Sequence, residues 1–181
     1  EVMPEHDEDL ESTKVVVTLK DPNGVQLEQV VLPTIKEAVC AEIQVANPKL
    51  WWCNGLGGQP LYQVQVSLVD DNQCVLDSKE YSIGLRELTV STKKDEWGNE
   101  FAFVINGIHI FSMGADYIPE DCIYPWITKE RIEALIRSSA KANYNMLRVW
   151  GGGYYPSDTF YDLCDQYGLI VWQDFMYACN V

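Results

Sequence analysis

Three short stretches set a charged side chain beside an aromatic ring. They are Met113-Gly114-Ala115-Asp116-Tyr117, Arg148-Val149-Trp150-Gly151-Gly152-Gly153 and Trp172-Gln173-Asp174-Phe175. A segment that serves only structure has no need of that combination. Polar groups set against flat rings suit a polyhydroxylated ligand, because hydroxyls need directional partners while the C–H face of a sugar packs on an aromatic surface. Arg148, Trp150, Asp116 and Asp174 are therefore the candidate ligand contacts.

The same residues carry plainer readings, and these stay open. Trp172, inside Ile170-Val171-Trp172, reads equally as core, and Asp174 as an acceptor for backbone N–H groups in a turn. Gly151-Gly152-Gly153 lacks both the G-x-G-x-x-G spacing and the Gly-Lys-Ser/Thr ending of phosphate loops, so it reads as a sharp turn beside a pocket. His6 falls in an acidic stretch and His109 in a hairpin strand, so no Ser-His-Asp or Cys-His set supports nucleophilic catalysis of that type. Trp51-Trp52 reads as an interdomain packing element rather than a ligand platform. No motif calls for a cofactor or a metal.

The elements that must position these groups change character near residue 110. Before it, apolar residues alternate with period two: Val15–Lys20, Val25–Leu32 after the Asp21-Pro22-Asn23-Gly24 turn, Ala38–Val45, Leu61–Val69, Tyr81–Val90 and Phe101–Ile105. Asn106-Gly107 is a strong hairpin signal leading into Ile108–Phe111. This spacing predicts a small antiparallel β-sandwich. After it the period becomes helical. Thr128 caps a helix with Ile132, Leu135, Ile136 and Ser139 on one face; Ser157 caps another with Phe160, Leu163, Cys164 and Tyr167, ended by Gly168. Strands over Ile110–Ala115, Asn145–Trp150 and Leu169–Gln173 complete a β-α-β-α-β order that demands parallel strands. The three charged and aromatic stretches then fall at the carboxyl ends of those strands, where α/β folds place their working residues.

The 181 residues carry 13 Lys plus Arg against 27 Asp plus Glu, a net charge of −14. That balance argues against nucleic acid and anionic membrane as partners, since both need a basic face. No apolar run approaches the ~20 residues of a membrane-spanning helix. The six cysteines form no C-x-x-C pair and mostly have apolar neighbours, which predicts free, buried thiols and a cytoplasmic location. The acidic start, without an initiator Met, predicts a solvated tail and a chain that begins inside a longer one.

Asn47-Pro48-Lys49-Leu50-Trp51-Trp52-Cys53-Asn54-Gly55-Leu56-Gly57-Gly58-Gln59-Pro60-Leu61-Tyr62 resembles the segment closing the middle immunoglobulin-like sandwich of β-mannosidases. Asp95-Glu96-Trp97-Gly98, Phe101 and Asn106-Gly107, followed by Gly114 to Pro119, resemble the lead-in to their barrel. Asn145–Gly153 and Val171–Cys179 resemble barrel strands two and three. These enzymes form part of glycoside hydrolase family 2, with β-galactosidases, β-glucuronidases and exo-β-glucosaminidases.

The resemblance implies a multi-domain β plus α/β architecture. An antiparallel immunoglobulin-like β-sandwich over 1–108 would be followed, over 109–181, by the first three β/α units of a truncated TIM (β/α)8 barrel. It implies part of a retaining exo-glycosidase acting on terminal β-D-mannose of a β-mannoside oligosaccharide, with the remaining domains of the parent chain as partners. The two catalytic glutamates would lie beyond Val181, so this chain would carry pocket wall only: Trp150 at the mannose subsite, with Arg148 and Asp174 near it. Asp116 stands where asparagine is usual, Cys53 where proline is, Trp126 where arginine often is, and Pro156 where glutamate often is. The alternatives are another family 2 specificity, or a non-catalytic sandwich that binds carbohydrate or protein.

Overall fold

The computed structural model describes residues 13–34 and 39–178. The acidic stretch Glu1–Leu10, with His6, and Cys179 lie outside the described residues, as does Ala38 at the start of an expected strand. The chain divides into two compact units, Glu1–Lys49 with Leu61–Ile83, and Leu50–Pro60 with Gly84–Val181.

The first unit is built on one sheet. β1 (Thr13–Lys20) and β2 (Gln26–Pro33) pair antiparallel with Val17 opposite Val30, and β3 (Leu61–Asp70) pairs antiparallel on the other side of β1, with Val17 opposite Val66. β4 (Val75–Gly84) completes the order β2-β1-β3-β4. The β1–β2 turn forms because Asp21 Oδ1 accepts from the main-chain N–H of Asn23 (2.9 Å) and Val25 (2.8 Å), while Gly24 takes a φ of 83°. Central β1 buries Val15, Val17 and Leu19, whereas β4 is exposed along nearly its whole length. Residues 40–45, expected to extend a strand from Ala38, form none.

The second unit begins with a separate antiparallel sheet, β5 (Leu88–Ser91), β6 (Ala102–Ile105) and β7 (Ile108–Ile110), in that order. Asn106 (φ 48°) and Gly107 (φ 82°) make the tight turn that their types predict. Alternation alone predicts that these strands belong to the sandwich. They instead group with the second unit, because Phe101 and Phe103 pack their rings against Trp172, at centroid distances of 5.5 and 5.7 Å. The division of the chain accordingly falls at 49/50, 60/61 and 83/84 rather than at residue 108.

Most of the sheet structure is antiparallel, and the helices are few. The remaining sheet is parallel: β8 (Gly114–Tyr117), β9 (Met146–Val149) and β10 (Ile170–Gln173), in the order β10-β9-β8. Helices α1 (Lys129–Lys141) and α2 (Asp158–Tyr167) make the crossovers. Thr128 Oγ1 caps α1 by accepting from Arg131 N, and Gly168, at φ 77°, ends α2. Ser157 begins α2 with extended backbone but no side-chain cap bond. Ile132 and Ile136 are the buried residues of α1, and Leu135, expected beside them, is exposed. One face of the sheet (Tyr117, Leu147, Val149) packs with Ile132, Ile136, Phe160, Leu163 and Cys164 into the core. The period of two then sends Asp116, Arg148 and Trp172 to the opposite face.

Two local corrections bear on the site. The first parallel strand lies at 114–117 rather than 110–115, because the Asn145 side chain accepts from Met113 N (2.8 Å) and donates to Phe111 O (2.9 Å), taking up the groups a strand there would have paired. Asp116 therefore sits within the strand, level with Arg148, and not past its end. The thiols are free where described, but only Cys53 and Cys164 are buried; Cys40, Cys74 and Cys122 are exposed.

Residues Leu50–Pro60 form a loop inserted into the second unit. Trp51 is 0% exposed there, its Nε1–H donating to Asp165 O (2.7 Å) and its ring covered by the Arg86 guanidinium at 4.4 Å. Arg86 also pairs with Asp165 (3.2 Å), whose carboxyl is pushed above its usual range mainly by burial, with Arg86 opposing the shift. Trp51 is thus a packing residue, held within this unit.

Candidate functional site

The site is assembled at the carboxyl end of the parallel sheet. Pairing sets Asp116 of β8, Arg148 of β9 and Trp172 of β10 side by side on one face. Arg148 Nη2 and Nε donate to Asp174 Oδ2 and Oδ1, at 2.8 and 3.1 Å, a two-point pairing that fits the planar guanidinium. Its Nη1 reaches Asp116 Oδ1 at 3.4 Å. Donation to Asp174, helped by the charges of both aspartates and opposed by partial desolvation, raises the guanidinium pKa further above its ordinary value. Trp172 lies beside this cation, with Arg148 Cζ 5.8 Å from its ring centroid.

Exposure grades the three charged groups. The side chain of Asp116 is 58% exposed, that of Arg148 42% and that of Asp174 20%. Asp116 is open to a ligand hydroxyl, while Asp174 faces inward and also accepts from Gly151 N (3.2 Å). Its place just past β10 lets it serve the Arg148 pair and the glycine loop at once.

The glycine run is required by close approach rather than by backbone sign. A Cβ on Gly151 would come within 2.3 Å of Phe175 O, one on Gly152 within 2.0 Å of the Trp150 ring, and one on Gly153 within 2.7 Å of Pro119. Trp150 therefore lies against Gly152. It borders an open cavity of about 420 Å³ that is also lined by Ile118, Pro119, Asp121, Cys122, Gly152, Gly153 and Tyr154. Arg148, Asp116 and Asp174 do not line that cavity, so the structure groups these three and sets Trp150 on the adjoining loop. Sequence reasoning passed over Tyr154, which lines this cavity and an adjoining smaller one, and Tyr124, which lines the smaller one, their rings meeting at 5.8 Å. The aromatic pair Tyr154-Tyr155 directly after three glycines was the available signal.

Tyr117, in the core face, donates to Glu120 Oε2 (2.7 Å), and burial with that bond raises its pKa. Among the described residues, no group of three or more His, Cys, Asp or Glu is placed to hold a metal ion. The arrangement can bind and orient a polar ligand against an aromatic wall. Asp116 and Asp174 both serve as acceptors for one guanidinium, the reverse of what a proton-donating carboxyl must do.

Residues 2–86 match the family model for glycosyl hydrolases family 2. The β-mannosidase B of Aspergillus flavus is 41% identical over 148 residues, which cover 81% of this chain and 17% of that protein. The crystal structure of the β-D-mannosidase from Dictyoglomus thermophilum superposes with a TM-score of 0.84 at 39% identity, covering 94% of this chain and 22% of that one. A β-glucuronidase from Parabacteroides merdae shares the fold, with a TM-score of 0.74 at 21% identity over 93% of this chain and 20% of its own. The chain spans about a sixth of the length of the curated relatives it matches.

Proposed function

This chain belongs to the glycosyl hydrolases of family 2, and from that premise we propose that its parent protein removes terminal β-D-mannose from β-mannosides with retention of configuration. In this reading the four-stranded antiparallel sheet of the first unit is one layer of an immunoglobulin-like sandwich, and the parallel β-α-β-α-β segment is the opening of a (β/α)8 barrel. Its helix-free face, with Asp116, Arg148 and Trp172, becomes the interior of the barrel. The site residues form a wall of the sugar pocket. Trp150 offers an apolar surface to the pyranose, Asp116 and Arg148 face the hydroxyls, and Asp174 stands behind them.

The observation that carries this reading is the Asp116–Arg148–Asp174 cluster toward the carboxyl end of the parallel sheet, joined to the Trp150 loop by the bond from Gly151 N to Asp174. Retaining hydrolysis needs one carboxyl to donate a proton and a second, ~5–5.5 Å away, to attack the anomeric carbon. Asp116 and Asp174 share one cation instead, and the resemblance to β-mannosidases implies that two glutamates of the parent protein, not these aspartates, serve as acid/base and nucleophile. What the described residues supply is orientation: hydrogen bonds to the sugar and an apolar surface, which convert binding into a held geometry.

The test is a comparison of chromogenic glycosides. The full-length parent hydrolyses the β-mannoside in preference to the β-glucuronide, β-galactoside and β-glucosaminide, and the 181-residue chain gives no turnover above a buffer blank. Turnover by this chain that disappears in Asp116→Asn or Asp174→Asn would place the active carboxylates here and overturn the assignment.

A further inference from the structure

The groups that fix the loop after β9 converge on one carboxylate. Asp174 Oδ2 accepts from Arg148 Nη2 (2.8 Å) and from Gly151 N (3.2 Å), while Oδ1 takes Arg148 Nε (3.1 Å). The main chain on either side adds Trp150 N to Tyr117 O (3.0 Å), Asp174 N to Val149 O (3.1 Å) and Ala178 N to Gly151 O (3.1 Å). Trp150 is thereby carried between two fixed points. Its own N–H is bound to β8, and the next residue is bound to Asp174.

No room remains for the loop to adjust by sliding. Gly151 already approaches Phe175 O so closely that a methyl group would not fit, and the indole rests on Gly152. We infer that Asp174 is a positioning residue for sugar binding: it acts through Gly151 to hold the Trp150 indole against the cavity, and it does not touch the sugar. Both carboxylate oxygens are occupied within the protein, and the side chain is the least exposed of the three charged groups. Arg148 is the brace that aims the carboxylate, and Trp172, beside the guanidinium, fills the space behind it. The inference rests on the reading of Trp150 as a sugar wall.

The experiment uses the full-length parent and two variants at the same position, Asp174→Ala and the milder Asp174→Asn, with Trp150→Ala and the double variant Asp174→Ala/Trp150→Ala. The expected result is a KM for the chromogenic β-mannoside raised about ten- to a hundredfold in Asp174→Ala, the scale of losing a charge-assisted hydrogen bond, with kcat within about threefold. Asp174→Asn retains part of the bonding and falls between Asp174→Ala and the parent. The double variant is no worse than the more affected single one, because both lesions remove the same contact. Effects that multiply in the double variant, a loss confined to kcat, or an unaltered KM would each overturn the inference.

A second arm needs no substrate. In Asp174→Asn, amide hydrogen exchange across residues 150–155 should rise several-fold while helix α1 exchanges as before. Unchanged exchange at 150–155 refutes the latch whatever the enzyme hydrolyses. If instead the parent turns over no β-mannoside while the exchange result holds, the substrate reading fails and the latch stands.

Discussion

Asn54 is the residue on which the inserted loop turns. Its side-chain Nδ2 donates to both Ala140 O and Tyr144 O, each at 2.8 Å, at the carboxyl end of α1, and its main-chain N–H donates to Gly168 O (2.7 Å) beyond the end of α2. Helix ends leave carbonyls without partners, and this one residue, through its side-chain amide and its main-chain N–H, serves the ends of two helices. In Asn54→Ala the two Nδ2 bonds are lost. Ala140 O keeps a second donor, Asn143 N (3.0 Å), so its loss is that of an ordinary bond, about 1 kcal/mol. Tyr144 O is left to bear a desolvation cost of about 1–3 kcal/mol. The expected destabilisation is therefore about 2–4 kcal/mol. All six tryptophans, at 51, 52, 97, 126, 150 and 172, lie in the second unit, so indole fluorescence reports its unfolding selectively. With m on the order of 2 kcal/mol/M, the urea midpoint of that signal in the 181-residue chain falls by about 1–2 M. Asn54→Asp sharpens the test. It points a carboxylate oxygen at two carbonyl oxygens, so at neutral pH it is less stable than Asn54→Ala. It recovers on acidification, as the carboxyl gains a proton to donate. A shift below about 0.5 kcal/mol in Asn54→Ala, or equal stability of the two variants at pH 7, would refute the reasoning.

Three further outcomes are expected. In the full-length parent, Trp150→Ala lowers kcat/KM by about 1–3 kcal/mol, the worth of burying one large apolar side chain, and unchanged kinetics at an unchanged melting temperature would make Trp150 a core residue only. Because burial raises the folded-state pKa of Asp165 above the ordinary aspartate value, the native chain binds this proton more tightly than the unfolded one. This group's contribution to stability is thus lost as pH rises through the folded pKa, and Asp165→Asn removes that slope from a urea series spanning pH 3.5 to neutrality, shown by flatter midpoints. Finally, burial pushes the Cys164 thiol up to about 12 and raises that of Cys53, while Cys40, Cys74 and Cys122 are exposed. Mass mapping after brief thiol alkylation at pH 8 should label those three and spare Cys53 and Cys164, and early labelling of Cys164 would contradict its burial.

The parts of the fold that could be read from the sequence are those governed by near neighbours. Thr128 with Arg131, the four-residue spacing of Ile132 and Ile136, and Gly168 at a positive φ all act within a turn or two of chain. The Asn106-Gly107 turn is equally local. What escaped was settled by distant partners. The start of the first parallel strand depends on a side chain 32 and 34 residues away, Asn145, which claims Met113 N and Phe111 O. Alternation marks β5 to β7 as strands but does not reveal that Phe101 and Phe103 meet Trp172, so their sheet was placed with the wrong neighbours. At the site, Arg148, Asp116 and Asp174 could be named because each sits at or near a strand end. Asp174's bond to Gly151 N was invisible, since nothing in the order of residues says which backbone amide a carboxylate will face.

The inserted loop also sets a timetable. Trp51 and its partner Asp165 are 114 positions apart, and Asn54 cannot reach Gly168 until that residue exists. During synthesis at ~5–20 residues per second, Trp51 emerges and then waits about 6–23 seconds for the helix end that will receive it. The flanking strands of the first unit are finished by Ile83 and have no such delay. The nascent chain therefore presents Trp51 without its distant partner between strands that are already able to pair. That leaves 50–60 open to chaperone capture or to mispairing on the ribosome, and stalling translation before residue 168 is the condition under which the hazard would accumulate.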